Sequence, residues 1–174
     1  MDSPFHIRPA RPSDLAQVDA LLAHSYPTLL KADYPPSVLV TALPLISRAR
    51  PELLACGTYY VAETPDGAIL GAGGFTPQAP GGAKTTGGLG HIRHVVTDPN
   101  HLRRGIARAL MQRSFADARA TGLTSLACQS TRTAQPFYAA CGFTPLGDIS
   151  VPLAPGISFP AIAMACRLRP LPLA

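Results

Sequence analysis

Hydrophobic and polar residues alternate with two different spacings along the chain, and each change of spacing marks an expected element. After Ser13, a preferred N-cap residue, four apolar side chains recur every three or four positions: Leu15, Val18, Leu21 and Leu22. This spacing predicts a helix that ends near residue 23. Residues 26–36 hold three prolines and are expected to form a loop, whereas residues 38–54 are expected to be helical, with a break near each of their two prolines.

Runs of β-branched and aromatic residues indicate strands over residues 58–63, 68–75 and 91–97. The first two runs are separated by a Pro-Asp-Gly sequence, which is typical of a turn. Residues 79–90 are rich in glycine, which predicts a mobile loop before the third run.

The longest amphipathic helix is predicted over residues 103–120, directly after the strand 91–97. Its expected buried stripe consists of Ile106, Leu110, Met111 and Phe115. The helix begins at the loop Leu102-Arg-Arg-Gly-Ile-Ala107. N–H groups in the first turn of a helix have no partner within it and carry partial positive charge, and Gly105 lacks the Cβ that would block a ligand. The loop therefore suits a phosphate group, with Arg103, Arg104 and Arg108 adding charge.

The remaining elements are a strand over residues 123–129, a short helix over residues 133–141 and a final hairpin formed by residues 149–153 and 159–168. This order of strands and helices fits a mixed α/β sheet with helices on both faces. The chain has no internal repeat, and its 174 residues predict one domain, residues 1–174.

Composition excludes several classes of protein. With 47% hydrophobic and 14% charged residues, a disordered chain is not expected, and no apolar run reaches the ~18 residues of a membrane span. The four cysteines have no metal-binding spacing, and the N-terminus lacks the pattern of a secretory signal, so we expect no metal and a location in the reducing cytoplasm. The net charge is +5, and the basic residues are scattered apart from Arg103, Arg104 and Arg108 at the glycine loop, a cluster that favours a polyanionic cofactor over nucleic acid.

Two motifs carry a family resemblance. The loop at residues 102–107 resembles motif A of the GNAT superfamily of CoA-dependent N-acetyltransferases, Arg/Gln-x-x-Gly-x-Gly/Ala, although Leu102 replaces the usual Arg or Gln. Residues 134–143, Ala-Gln-Pro-Phe-Tyr-Ala-Ala-Cys-Gly-Phe, resemble motif B, and residues 5–16 resemble the family's first strand and helix cap. The resemblance implies a twisted mixed sheet of about seven strands flanked by about four helices.

The resemblance also implies that acetyl-CoA is the co-substrate. In the family the fourth and fifth strands splay apart, and the pantetheine arm binds to the free main chain of the fourth, while the pyrophosphate binds to main-chain N–H groups of the loop. Carried over to this chain, the CoA-binding residues are Val95, Val96, Thr97, Leu102, Arg103, Arg104, Gly105, Ile106, Ala107, Arg108, Thr131 and Tyr138. Thr131 stands where an Asn often contacts the cofactor.

For catalysis, Tyr138 occupies the position of the family's general acid, which protonates the departing thiolate. Many relatives place a Glu on the fourth strand to relay the proton of the amine through water, and this chain has no acid there. His91 and His94 are the candidate bases because imidazole titrates near neutral pH. They are an odd number of residues apart, so they are expected on opposite faces of the strand, with at most one facing the cleft. Proton loss to water alone is the alternative.

In relatives the acceptor site lies between the first two helices and the last hairpin. This resemblance suggests that Tyr26, Asp33 and Tyr34 bind the substrate, opposite residues around Asp148. The two aspartates could attract a cationic amine, and the aromatic character of residues 26–36 favours a small, partly apolar acceptor.

Three other functions stay open beside acetylation of a small-molecule amine. A protein or peptide amine could be the acceptor. A CoA-binding sensor without turnover would explain the missing strand acid and the departures at Leu102 and Thr131. A basic nucleic-acid-binding module lacks a recognition helix or an aromatic platform. The exposed edge of the sheet makes a homodimer a further expectation.

Overall fold

The computed structural model describes residues 4–82 and 87–170, in which five α-helices and seven strands are found. The helices are α1 (Leu15–Leu30), α2 (Pro36–Ile46), α3 (Pro51–Leu54), α4 (Ile106–Ala120) and α5 (Gln135–Ala140). The strands are β1 (His6–Pro9), β2 (Tyr59–Glu63), β3 (Ile69–Thr76), β4 (Leu89–Thr97), β5 (Ser125–Ser130), β6 (Thr144–Ala154) and β7 (Ile157–Arg167).

The strands form one mixed sheet in the order β1-β2-β3-β4-β5-β7-β6. The β4–β5 pair is parallel, and the other five pairs are antiparallel. The predicted fold class, a mixed α/β sheet of about seven strands, is therefore confirmed. The described residues contain five helices where about four were expected, because the segment 38–54, predicted to be helical with breaks near its two prolines, contributes to two separate helices.

Helices cover both faces of the sheet because side chains alternate along each strand. In β2, Tyr60 and Ala62 join the core beneath α4, whereas Tyr59 and Val61 join the core beneath α1. A third cluster packs α2 against the β6–β7 hairpin through Leu39, Phe159 and their neighbours. The site described below lies between these layers.

Helix α1 is longer than predicted and includes part of the segment expected as a loop. It continues through Pro27 to Leu30, which is 2% exposed and anchors the last turn in the core. Pro27 cannot donate to the Ala23 carbonyl, but both residues are on the solvent side, where water can replace the lost bond. The prediction of Ser13 as the N-cap residue of α1 was also wrong, because Ser13 lies in a 3₁₀ turn before the helix. In this turn the Asp14 carboxylate accepts a hydrogen bond of 2.8 Å from the N–H of Arg11.

Helix α2 likewise continues through its internal proline, so the break predicted near Pro44 was wrong. Pro44 is exposed, and the carbonyl it leaves free belongs to Val40, whose side chain is 71% exposed. The chain instead leaves the helix after Ile46 and begins α3 at Pro51, where proline at the first helical position is favoured.

The remaining differences concern element boundaries. Of the predicted mobile loop at residues 79–90, Leu89 and Gly90 belong to β4, and residues 83–86 lie outside the described residues. The final hairpin is longer than predicted, with 11 residues in each strand. In the described part of the chain, no helix is long and apolar enough to cross a membrane.

Candidate active site

The parallel strands β4 and β5 separate near the middle of the sheet. Their ladder consists of Leu89 with Ser125, Gly90 with Leu126, and His91 with Ala127, and it ends there although β4 continues to Thr97. The second half of β4 therefore presents main chain without a neighbour on the β5 side. An extended ligand arm can add to such an edge as another strand would.

A β-bulge interrupts β4 at the same place. Arg93 is opposite Gly74 and Val96 is opposite Ala72, so that His94 and Val95 together face Gly73. His94 has a φ of 42°, a left-handed conformation that is uncommon outside glycine. Beyond the bulge, Val95 packs in the core beneath α4 and Val96, 3% exposed, in the core beneath α1.

The bulge interrupts the regular alternation of side chains between His91 and His94, of which at most one was predicted to face the cleft. Arg93 and His94 are neighbours in sequence, and both line the cavity between α1, α2, β4 and the β6–β7 hairpin that is described below. His91 does not line this cavity. The His91 Nε2 atom is buried, and none of the described residues is hydrogen-bonded to it; burial lowers the pKa of this imidazole.

The glycine loop is open to solvent at the start of α4. Gly105 is the N-cap residue with a φ of 80°, and Arg103 also has a positive φ, 64°. A Cβ added to Gly105 would meet no atom within 4 Å, and no side chain caps the helix. The three arginines of the segment, Arg103, Arg104 and Arg108, are exposed, as is Leu102.

The first helical residues differ in what they offer a ligand. The Ile106 side chain is 1% exposed and packs in the core. Ile106 can therefore offer a ligand only its main-chain N–H group. Ala107 is half-buried. The loop thus combines free main-chain donors, a helix N-terminus and exposed guanidinium groups, which together suit a pyrophosphate.

Tyr138 on α5 is held by aromatic neighbours. Its ring meets Phe137 and Phe143 edge-on, with centroid distances of 5.3 and 5.4 Å, and the residue is 6% exposed. Burial, assisted by the Cys128 thiol and the Tyr26 phenol, raises the pKa of Tyr138 well above its ordinary value. Among the described residues none is hydrogen-bonded to its hydroxyl, so the phenol keeps its proton and is free to donate it.

A cavity of about 510 Å³ lies between α1, α2, the bulge of β4 and the β6–β7 hairpin. Its apolar wall includes Leu45 and Ile46 of α2 and Val151, Leu153 and Phe159 of the hairpin. Its polar side chains are Tyr26, Arg50, Arg93, His94, Gln129 and Thr131. Burial is the first cause that lowers the pKa of His94 to about 4, so its imidazole is neutral at physiological pH.

Only one of the three predicted substrate residues lines this cavity. Tyr26 does, and burial raises its pKa to about 12. Tyr34 is instead a structural link: its hydroxyl donates to the Pro160 carbonyl and accepts the N–H of Arg132, both at 2.8 Å. Asp33 accepts from the Thr133 hydroxyl at 2.8 Å, and neither it nor Asp148 lines the cavity.

Thr131 has a structural role that its sequence position does not reveal. Its hydroxyl accepts the N–H of Ala134 at 3.1 Å, which holds the turn that leads into α5. Because Thr131 also lines the cavity, it connects the cavity with the helix that bears Tyr138.

Sequence reasoning missed the two cationic residues of the cavity. Arg93 stands between His91 and His94 in an apolar strand, and a charge there was the signal that could have revealed it. Arg50 gave no such signal, because it lies in an irregular segment between α2 and α3.

Comparison with protein-family models gives a match to the acetyltransferase (GNAT) family over residues 23–143, more than half of the chain. No curated protein sequence matches. A solved structure described as a GCN5-related N-acetyltransferase: aminotransferase, class-II from Rhodopseudomonas palustris has a TM-score of 0.74 at 22% identity. The alignment covers 97% of this chain and 98% of that one.

Two further structures with bound ligands share the fold. A GNAT family acetyltransferase from Brucella melitensis, in complex with acetyl-CoA, has a TM-score of 0.60 at 20% identity, covering 97% of this chain and 91% of that one. The PaiA N-acetyltransferase from Thermoplasma acidophilum, in complex with coenzyme A, has a TM-score of 0.68 at 13% identity, covering 96% and 99%.

Proposed function

This chain belongs to the GNAT acetyltransferase family, and on that premise we propose that it transfers the acetyl group of acetyl-CoA to the primary amine of a small molecule. One observation carries the proposal: beyond His91, β4 has no ladder partner on the β5 side among the described residues, and this part of the strand leads from the cavity at His94 to the segment that carries Gly105. A thioester arm bound along this edge would bring its acetyl end to the cavity and its phosphates to the loop.

CoA binding is assigned to main-chain groups of Val95, Val96 and Thr97 for the arm and to residues 102–108 for the pyrophosphate. The structures from Brucella melitensis and Thermoplasma acidophilum, which hold acetyl-CoA and CoA, support this by analogy of fold. The replacement of Arg or Gln by Leu102 is compatible with binding, because the Leu102 side chain points into solvent and the donors are N–H groups.

In the proposed reaction the amine nitrogen attacks the thioester carbonyl, the C–N bond forms and the C–S bond breaks. A main-chain N–H near Val95 would polarise the carbonyl, an interaction of the kind worth ~3–4 kcal/mol in a transition state. Tyr138 donates its phenolic proton to the departing thiolate. Its environment supports this role, since a phenol with a raised pKa and no partner stays protonated until a strong base forms beside it.

The proton of the attacking amine is proposed to leave through water. His94 lines the cavity and is neutral, so it can accept a hydrogen bond and orient the amine. With a pKa of about 4, His94 does not stay protonated at neutral pH, so it would pass the proton on to water. His91 does not line the cavity and is the weaker of the two candidates.

The shape of the cavity favours a small molecule over a protein acceptor. The β6–β7 hairpin and α2 line a cavity of about 510 Å³, which is the size of a small-molecule site. A peptide amine is the second candidate, through the exposed residues at the rim such as Leu45 and Pro152. We further propose that residues 1–174 act as one domain in the cytoplasm.

The test is thiol release from acetyl-CoA with a panel of amino acids, amines, aminoglycosides and peptides, combined with calorimetric titration of CoA. We expect CoA binding and amine-dependent release for at least one small amine. Binding without release for any amine would favour the sensor, and release with peptides alone would replace the small-molecule acceptor. Absence of CoA binding would overturn the proposal.

A further inference from the structure

The cavity next to the bulge is cationic. Arg50 and Arg93 are its two charged side chains, and no aspartate or glutamate is found among the described residues that line it. His94 adds no negative charge, since it is neutral, and the remaining polar groups are the uncharged side chains of Tyr26, Gln129 and Thr131.

Arg93 is half-buried without a counter-ion. Its Nη1 donates to the Thr76 hydroxyl at 3.2 Å, and within the described residues no carboxylate is close enough to form an ion pair with it. Burial is the main cause that lowers the pKa of this guanidinium, followed by the positive charge of Arg50. A buried cation without an ion-pair partner is unfavourable unless an anion joins it, and the open space beside it is the acceptor cavity.

Arg50 faces the same space from the segment between α2 and α3. Its one ion pair is with Glu52, at 3.8 Å and largely exposed, where solvent weakens the interaction. A ligand anion would therefore meet two guanidinium groups, and guanidinium is the side-chain group that best matches a carboxylate or phosphate.

We propose that the acceptor is a primary amine that also carries an anionic group, a carboxylate or a phosphate. Arg93, assisted by Arg50, binds the anion, the amine lies towards His94, and the apolar body packs against Leu45, Ile46 and the hairpin. This inference rests on the proposed function and gives its site a substrate class. Amines with further positive charges are disfavoured, because two cationic side chains line the cavity, whereas Glu52, which pairs with Arg50, is largely exposed and lies outside the lining.

The anion that binds to Arg93 is not one of the CoA phosphates, which we assign to the loop at residues 102–108. Arg93 lies four residues before the end of β4, about 13 Å at 3.3 Å per residue, and the loop at residues 102–108 lies beyond that end. The loop has its own exposed arginines and helix N-terminus for the phosphates.

The test compares matched amines. Each of the common amino acids is assayed against its own amide, and O-phosphoethanolamine against ethanolamine, by thiol release from acetyl-CoA. We expect kcat/KM for the best anionic amine to exceed that of its neutral analogue by at least 100-fold. The two arms tell a carboxylate from a phosphate ligand, and a neutral amine or polyamine as good as every anionic one would overturn the inference while leaving the transferase intact.

Variants then assign the effect to the residue. Arg93→Gln should raise KM for the best anionic amine about 100-fold, so that its preference over its neutral analogue is lost, and Arg93→Lys should recover part of the loss. Arg48→Gln, an exposed arginine outside this cavity, is the matched control. A KM unchanged by Arg93→Gln would refute the assignment.

A readout that needs no turnover separates this inference from the proposed function. A thermal-shift screen with CoA present first finds the amino acid that raises the melting temperature of the protein most. Calorimetric titration of that amino acid into the protein with CoA then measures its binding directly. Binding lost in Arg93→Gln and kept in Arg48→Gln would support the anion site even if no amine were acetylated. Absence of binding by every amino acid and by O-phosphoethanolamine would overturn the anion site even if neutral amines were acetylated.

Discussion

The Tyr59 hydroxyl donates a hydrogen bond of 2.9 Å to the main-chain carbonyl of His94, which ties the second strand of the sheet to the bulge in the fourth. The intervening strand makes room with glycines. A Cβ on Gly74 would lie 2.6 Å from the Tyr59 Cα, and one on Gly73 would lie 2.9 Å from Val95 Cγ2. The bulge formed by His94 and Val95 is thus held by a hydrogen bond from β2 and by close packing on the glycines of β3.

Tyr59→Phe should therefore loosen the bulge. The partly buried His94 carbonyl loses its partner, so we expect the free energy of unfolding, measured in urea, to fall by about 1–2 kcal/mol. Because the acetyl end of the bound arm would lie beside the bulge, kcat should fall at least tenfold while CoA affinity changes little. Tyr60→Phe is the control, since it breaks the bond to Asp117 on the other face of the sheet and should reduce stability without that fall in kcat.

Gly105→Ala tests the phosphate loop. Alanine at a φ of 80° should reduce stability by about 1–2 kcal/mol, and its Cβ would project into the space where the phosphates are expected, weakening CoA binding at least tenfold. Gly67→Ala is matched to it, with a φ of 88° and equally open surroundings in the β2–β3 turn. Equal CoA affinity of the two variants in calorimetry would contradict the assignment of the loop.

Local sequence patterns predicted those parts of the site that depend on one element at a time. Apolar spacing identified α4 and its buried stripe, and the glycine and aromatic motifs identified Gly105 and Tyr138. Prolines misled the analysis at Pro27 and Pro44, because a proline breaks a helix only where the lost hydrogen bond cannot be replaced, and both face water.

The cavity could not be predicted in this way because it depends on how strands pair. The bulge at His94 results from the register between β3 and β4, and the register is a property of two strands. The placement of Arg93 and Arg50 beside one space, and of Asp33 away from it, likewise follows from packing between α2, α3 and the hairpin. Spacing along the chain contains no such information.

Tyr138→Phe tests the general acid. Loss of the phenolic proton should lower kcat by roughly 10²–10⁴, and the melting temperature should change little, because no described residue is hydrogen-bonded to the hydroxyl. Stopped-flow thiol release and thermal unfolding measure the two effects, and CoA titration of the same variant should give an unchanged affinity. Turnover near that of the unaltered protein would remove Tyr138 from the mechanism.

The buried imidazole of His94 should make stability depend on pH. Its pKa is about 4 in the folded protein and about 6.5 when unfolded, so between these values the unfolded chain binds more protons. The free energy of unfolding should therefore fall by roughly 2–3 kcal/mol through His94 alone as the pH drops from 7 to 4. In His94→Asn, whose side chain tolerates the left-handed backbone, this share should vanish, while the contribution of His91, whose pKa is also lowered by burial, remains. Urea titrations of both proteins at pH 7, 5.5 and 4 measure the difference, and parallel pH profiles would show that His94 is not desolvated as the structure describes.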